Sequence, residues 1–343
     1  MTTLSDPPRP PASAVPRSHL DRRPLRLQGP DVGYHQNWYA VALSGDVAPG
    51  RVVGRDLLGG RVIVYRGADG AARVLTAFCR HLGADLSRGT VVGDEVQCEF
   101  HHWQYGGDGR CTRIPAGGAV PEQARLFSFP VAERWGLIWA FNGEEPLFDP
   151  PGFRDAEAAD LVWRVQPGPP QPQEPWVMLS NSHDYQHLRI LHEMALVEGP
   201  VNMRNTRWHL EHDSTFEMPG GAPFEQRIRV TGTNTIALCG TLAGVGRLFS
   251  LYTATMQPDG GSVSYVVSAT SRPDPGDAAA VAAAEERLDM TTAFFYGLME
   301  DDVPLLDAAR FRPGILLEAD RELALYFDHV RSYPTADPMA GYL

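Results

Sequence analysis

Short runs of β-branched and aromatic residues, cut by turns rich in Gly and Asp, dominate the chain from Trp38 to about Phe148. Val52-Val53, Arg61-Val62-Ile63-Val64-Tyr65, Ala72-Arg73-Val74-Leu75, Glu95-Val96-Gln97-Cys98 and Leu137-Ile138-Trp139-Ala140-Phe141 have the length and residue types of antiparallel strands. Residues 1–33 lack this periodicity and carry seven prolines, so they read as a disordered or extended arm. A proline-rich stretch from Pro150 to Pro175 reads as a wrapped connector. Beyond it, Trp176 to His192 has helical length and apolar spacing. Strands are expected again at 207–210, 226–230, 247–256 and 262–269, the last two as a hairpin about Pro258-Asp259-Gly260-Gly261. Asp277 is placed to cap a long alanine-rich helix that runs to about Asp302, where Pro304 would end or kink it. The pattern predicts an α+β chain in three parts: the arm, an all-β unit over 34–148, and a second unit over 149–343 built from an antiparallel sheet and helices.

Composition narrows the chemistry. All 30 basic residues are arginine, against 42 acidic residues, for a formal charge of −12. Without lysine the chain forms no Schiff base and completes no G-x-x-x-x-G-K-[ST] phosphate loop. The acidic balance argues against nucleic acid as a partner. No apolar run reaches the roughly 18 residues of a membrane span. Pro24-Leu25-Arg26 follows Arg22-Arg23 where an export signal would need an apolar run, so a cytoplasmic location is expected. Four cysteines are too few for a disulfide scaffold, and two of them stand beside histidines.

Those two pairs are Cys79-Arg80-His81 and, after sixteen residues, Cys98-Glu99-Phe100-His101. Two thiolates and two imidazoles suit tetrahedral zinc, or a [2Fe–2S] cluster with both cysteines on one iron and both histidines on the other. Zinc fingers usually pair like with like, whereas each loop here supplies one Cys and one His, as a cluster clamped from two sides requires. Cys111 reads as a packed small residue, His102 as a loop residue, and Trp103 and Tyr105 as shields against water.

C-x-H followed by C-x-x-H is the signature of Rieske iron–sulfur domains. The text from Cys79 to Cys111 resembles the Rieske domain of ring-hydroxylating oxygenases and is most similar to that of bacterial 3-ketosteroid hydroxylase oxygenase components. The resemblance implies an all-β [2Fe–2S] domain with Cys79, His81, Cys98 and His101 as ligands, reduced by a ferredoxin or flavin reductase.

A second constellation lies in Asn181-Ser182-His183-Asp184-Tyr185-Gln186-His187-Leu188-Arg189-Ile190-Leu191-His192. His187 and His192 are i, i+5, about 140° apart around an ideal helix, so the helix must distort or end between them for both to meet one ion. The zinc-protease pattern H-E-x-x-H fails, because Leu196 stands in place of its second histidine. N-x-x-D-x-x-H-x-x-x-x-H is similar to the catalytic motif of Rieske oxygenases, and the resemblance then covers roughly residues 34 to 334. It implies a mononuclear Fe(II) held by His187, His192 and a downstream aspartate, Asp302 by preference over Asp301. It implies a helix-grip-like catalytic domain and places Asn181 near the iron. By the same resemblance Asp184 accepts hydrogen bonds from His187 and from His101 of a neighbouring subunit, bridging the two metal sites in a head-to-tail homotrimer. His183 has no role in the family and is read as lying near the metal or at the surface.

The implied activity is that of a terminal oxygenase in a multicomponent system, hydroxylating a hydrophobic or polycyclic small molecule with O₂. Demethylation and desaturation are alternatives within the family, and an electron carrier or redox sensor is the alternative outside it. Met178, Phe216, Leu238, Tyr252, Met256, Phe294 and Leu298 are candidate lining residues of an apolar pocket. No G-x-G-x-x-G follows a strand, which leaves flavin and nicotinamide to a partner.

Overall fold

The structure is a computed structural model that describes Leu25, residues 28–197, Val201, residues 203–309 and residues 315–342. The arm expected over 1–33 lies outside the described residues except for Leu25 and 28–33. Leu25 itself is buried with Trp176 and Leu188, so the chain is anchored there and not draped on the surface.

Two compact units are formed, and both are discontinuous in sequence, unlike the single cut expected at 148/149. One takes residues 28–150, 255–260 and the segment from Pro334; the other takes residues 151–254 and 261–333 with Leu25. The first unit is all β. It contains β1 (Tyr34–His35), β2 (Trp38–Leu43), β3 (Val52–Leu57), β4 (Gly60–Arg66), β5 (Ala72–Thr76), β6 (Thr90–Val92), β7 (Glu95–Gln97), β8 (Gln104–Tyr105), β9 (Cys111–Arg113), β10 (Val131–Arg134) and β11 (Leu137–Phe141). They form small antiparallel sheets ordered β10-β11-β2, β3-β4-β5 and β6-β7-β8-β9. Val62, Val64, Val74, Ile138 and Ala140 fill one core, and Ile63, Leu75, Leu86 and Leu126 another. Later segments complete the unit: Thr255 Oγ1 donates to Ala40 O at 2.7 Å, and Asn142 Nδ2 reaches Ala336 O at 3.1 Å.

The second unit is built on an eight-stranded sheet. Its strands are β12 (Leu161–Pro167), β13 (Ala195–Leu196), β14 (Arg204–Asn205), β15 (His209–Glu217), β16 (Pro223–Thr231), β17 (Thr235–Leu242), β18 (Gly246–Met256) and β19 (Ser262–Ser271), ordered β12-β19-β18-β17-β16-β15-β13 with β14 beside β15. The last strand of the chain, β20 (Thr335–Ala336), pairs instead with β1 in the first unit. Along β16 the buried residues Phe224, Gln226, Ile228 and Val230 alternate with Glu225, Arg227 and Arg229, the two-residue period of a sheet with one covered face.

Among the described residues, four helices complete this unit: α1 (Pro175–Ser180), α2 (Tyr185–Leu191), α3 (Ala278–Ala308) and α4 (Arg321–Ser332). α3 lies against β19 and β12 and is tied to them by Thr292 Oγ1 to Ser268 Oγ at 2.8 Å and Arg164 to Glu285 at 2.8 Å. The chain is α+β, as the sequence pattern predicts.

Several elements differ from expectation. The connector over 150–175 contains the edge strand β12, where Leu161-Val162-Trp163-Arg164-Val165 pairs with β19 between flanking prolines. The helix expected over 176–192 is two helices separated by a 3₁₀ turn, because Asp184 leaves helical geometry (φ −95°, ψ 86°). α3 continues through Pro304 to Ala308, past the expected stop near Asp302. β17 and α4 lie in stretches without an assigned element, and the strand expected at Arg207 starts at His209.

Asp277 caps α3 as predicted, accepting from the backbone N–H groups of Ala279 and Ala280 at 3.0 Å. Asp277→Ala should lower stability by about 1 kcal/mol. Urea unfolding checks this: the midpoint should fall while the slope of free energy against urea stays unchanged.

Candidate metal centres

In the first unit, two loops present the Cys-His pairs with matching backbone geometry. Cys79 N–H donates to Ala84 O (2.9 Å) and Gly83 N–H returns to Cys79 O (2.9 Å). In the second loop Cys98 N–H donates to Trp103 O (2.8 Å) and His102 N–H returns to Cys98 O (3.0 Å). The closing residue of each turn is left-handed, Gly83 at φ +75° and His102 at φ +57°. Glycine takes that conformation freely, whereas histidine is strained in it. The expectation that His102 is a loop residue holds, and its backbone is what shapes the loop.

The donor atoms of the two loops meet. His81 Nδ1 and His101 Nδ1 are 3.2 Å apart with both rings exposed, while Cys79 and Cys98 are buried. Trp103 stacks on His81 at 4.8 Å between ring centroids, and Tyr105 O–H lies 3.2 Å from Cys79 Sγ while accepting from Arg80 N–H at 3.0 Å. Both aromatic residues therefore pack over the donors, as expected. Burial pushes the Cys79 thiol above its usual range, reinforced by the nearby Cys98, so a metal would be needed to hold the Cys79 sulfur as a thiolate. Cys111 is buried in the same core cluster, with Sγ 3.6 Å from Arg113 O, and is a packed residue.

In the second unit, α1 ends in the 3₁₀ turn Asn181–His183, and Asp184 then caps α2 by accepting from His187 N–H at 3.0 Å. α2 stops at Leu191, and His192 sits just beyond it at φ −102°, ψ 1°. Ending the helix there brings the i, i+5 rings within 4.8 Å, nearly perpendicular at 84°. Asp302 comes from α3, with Oδ1 2.7 Å from His187 Nε2 and 3.0 Å from His192 Nε2. The three donor atoms lie within 4.8 Å of one another. Two imidazoles and a carboxylate so arranged fit a divalent transition metal.

The neighbouring aspartates also differ in geometry. Asp302 is only 6 % exposed and faces both Nε2 atoms. Asp301 is open to solvent and approaches the opposite nitrogen, His192 Nδ1, at 3.7 Å. Asn181 lies beside Asp302 and lines the same cavity. Burial raises the Asp302 pKa, but His187, Asn181 and His192 together draw it below the ordinary value. Burial likewise opposes charge on His187, and Asp302 overcomes it, so that pKa is raised.

Two expectations are corrected. The ring hydrogen bond from His187 to Asp184 is not made: Asp184 takes the backbone N–H, and the buried His187 Nδ1 has no partner among the described residues. His183 is not at the surface; it is fully buried, stacked on Tyr326 at 4.7 Å. Its Nε2, both nitrogens of the buried His212, and Tyr185 O–H lack hydrogen-bond partners among the described residues. Each such group left dry costs about 1–3 kcal/mol. The sequence carried no signal for His212, which lies on a strand far from either motif.

An apolar cavity of about 140 Å³ opens onto His187, His192 and Asp302. Met178, Leu238, Tyr252, Phe294 and Leu298 line it, as expected, but Phe216 and Met256 do not. Phe216 is packed in the core of the second unit and Met256 in that of the first. No described helix is long and apolar enough to cross a membrane.

Residues 37–129 match the family model of the Rieske [2Fe-2S] domain. A 129-residue stretch, 38 % of the chain, is 37 % identical to the oxygenase component of 3-ketosteroid-9-alpha-monooxygenase from Mycobacterium tuberculosis. A 34 % identical stretch of 191 residues, 54 % of this chain and 42 % of the relative, matches the cholesterol 7-desaturase nvd of Xenopus laevis. The matched stretch spans about a third of the length of the 3-ketosteroid relatives. Among solved structures, NdmA of Pseudomonas putida CBB5 with caffeine aligns at TM-score 0.66 and 19 % identity over 85 % of this chain and 88 % of that one. Dicamba monooxygenase bound to dicamba aligns at TM-score 0.60 and 20 % identity over 88 % and 98 %. Residues 37–129 are thus a Rieske [2Fe–2S] domain, and the chain has the fold of the Rieske oxygenases.

The strain at His102 is open to direct test. His102→Gly should stabilise the protein by about 0.5–1 kcal/mol through relief of the left-handed backbone. Thermal unfolding read at the cluster's visible absorbance would report it, and an unchanged or lower midpoint would contradict the strain.

Proposed function

We propose that this chain is the terminal oxygenase component of a multicomponent Rieske system and hydroxylates an apolar small molecule with O₂. The observation that carries the reading is the convergence of His187, His192 and Asp302 on one apolar cavity in a chain that also holds a Rieske domain. An electron carrier or redox sensor has no use for that second donor set. When bound, the cluster supplies electrons one at a time and the iron at the triad supplies the place where O₂ is reduced beside the substrate.

In this reading Cys79 and Cys98 hold one iron of the cluster and His81 and His101 the other. His187, His192 and Asp302 hold the mononuclear Fe(II). Asn181, beside Asp302, favours its charged form and would help orient the carboxylate. The cavity walls bind the apolar body of the substrate and exclude water from the ligands. Free, buried thiols of the kind Cys79 and Cys98 present favour a reducing cytoplasmic setting, with a ferredoxin or flavin reductase as electron donor.

A homotrimer is part of the proposal. Leu82 and Phe100, 67 % and 63 % exposed, flank the exposed cluster histidines, and Ile190 on α2 is 79 % exposed. Apolar side chains of this size favour burial against a second copy. A contact between such unlike patches is heterologous and closes as a ring. Asp184, half-buried at the start of α2, would accept from His101 of a neighbouring subunit across it.

Anaerobically purified protein should contain about three irons and two acid-labile sulfides per chain. Zinc, or no sulfide, would sink the reading. Asp302→Ala should remove one iron and leave the cluster spectrum intact, whereas Asp301→Ala should keep the full metal content. Asp184→Ala should leave cluster reduction by dithionite unchanged and lower turnover more than about tenfold; full activity would exclude the bridging role. Incubation with ¹⁸O₂ and candidate apolar metabolites separates the reactions. Label in the product marks hydroxylation, and an unlabelled product with one new double bond marks desaturation, the reaction named for the desaturase relatives.

A further inference from the structure

The apolar cavity beside the metal ligands has a buried amide in its wall. Gln226 stands on the covered face of β16 between Phe224 and Ile228, is 5 % exposed, and lines the cavity with both of them. The neighbouring strands treat the two ends of this amide differently. Directly opposite on β15 is Ser214, and Gln226 Nε2 donates to Ser214 Oγ at 3.0 Å. Directly opposite on β17 is Gly240, which has no side chain to offer, and a Cβ there would strike the Phe224 ring. The other polar residues of the sheet wall, Ser250 and Tyr252 on β18, are two strands away and out of register with Gln226. Gln226 Oε1 is left without a hydrogen-bond partner among the described residues.

The surroundings make that placement costly. Ile236 and Leu238 on β17 and Phe294 and Leu298 on α3 line the same cavity and offer no polar atom. A leucine would fill the position on β16 without any polar penalty. An amide with one end unmet is the more expensive choice unless something inside the cavity meets it. With the nitrogen engaged by Ser214, the edge turned to the cavity is an acceptor, so the matching group is a donor. An ammonium would bring a charge into apolar walls, and an amide N–H would bring a carbonyl that also needs a partner. A hydroxyl adds the least further polar surface.

We infer that Gln226 is a specificity-determining residue, and that the cavity takes a neutral apolar molecule bearing a hydroxyl whose O–H donates to Gln226 Oε1. The inference rests on the oxygenase reading, in which this cavity holds the substrate, and narrows that substrate from any apolar molecule to an alcohol or phenol. Ser214 is a positioning residue, because it holds the amide nitrogen and so keeps the oxygen toward the cavity.

The test is the binding of indane, 2-indanol and 2-indanone to the full-length, metal-loaded protein, measured anaerobically by titration calorimetry. These probes share one carbon frame and carry no polar group, a hydroxyl and a carbonyl oxygen respectively. The parent should bind 2-indanol about fivefold more tightly than either of the others, the worth of one net neutral hydrogen bond. Gln226→Leu should erase that preference, bind indane at least as well as the parent does, and show an unchanged or higher Tm. Ser214→Ala should narrow the preference and keep the affinity for indane, and it carries the test should the leucine variant not fold. A parent that binds indane or 2-indanone as tightly as 2-indanol, or that binds no 2-indanol up to its solubility limit, would overturn the inference. A preference retained in Gln226→Leu would also overturn it, placing the hydroxyl elsewhere; a lowered Tm in that variant with the preference retained would mark the amide as structural. Failure of the oxygenase reading shows separately, as absence of the mononuclear iron in metal analysis, and the probe preference is decided without it.

Discussion

A single buried carboxylate oxygen, Asp302 Oδ1, faces two imidazoles that are more than a hundred residues away in the chain. Three polar groups brought so close in an apolar surround are costly unless they satisfy one another or share a cation. Much of the second unit serves to hold that arrangement. α3 carries the carboxylate and is capped by Asp277 and clamped to the sheet through Arg164 and Thr292. The histidine segment is fixed from the other direction, as Gln186 Nε2 reaches Asp320 Oδ1 and Asp320 Oδ2 accepts from Leu317 N–H at 2.7 Å.

Both metal motifs were legible in the sequence because ligation demands residue types that few other tasks require together. The strands at 52–53, 61–65, 72–75 and 137–141 were equally plain, since their β-branched runs are bounded by turn residues. Other features were set by tertiary contacts that no local pattern encodes. β12 hides between prolines and exists because β19 offers it a partner. The break at Asp184 looks helical by apolar spacing, yet the Asp side chain finds a better use as a cap for a second helix. Asp302 and Asp301 are distinguishable only once α3 has a buried side. His183 and His212 share no sequence pattern, and only packing places their rings together.

The two cluster loops show how one geometry can be reached by different residues. Each needs a left-handed residue to fold the chain back onto the cysteine carbonyl. Gly83 supplies it without strain in the first loop. The second uses His102, so the backbone there is held by its surroundings: Trp103, the next residue, is fixed by the Cys98 N–H bond to its carbonyl and by stacking on His81. The strained residue thus sits between a ligand and the aromatic ring that covers another.

The discontinuity of the Rieske-containing unit governs its order of assembly. Its candidate ligands all lie before residue 102, yet its sheets are completed by Thr255 bonding to Ala40 and by β20 pairing with β1. On a ribosome adding about 5–20 residues per second, roughly 10–40 s separate the first 150 residues from the last strand. The nascent ligand loops therefore emerge well before the scaffold that finally encloses them. Delivery of iron and sulfide is best timed after β20 has emerged, and a product stalled before it would present the Cys79 and Cys98 thiols on an unfinished scaffold.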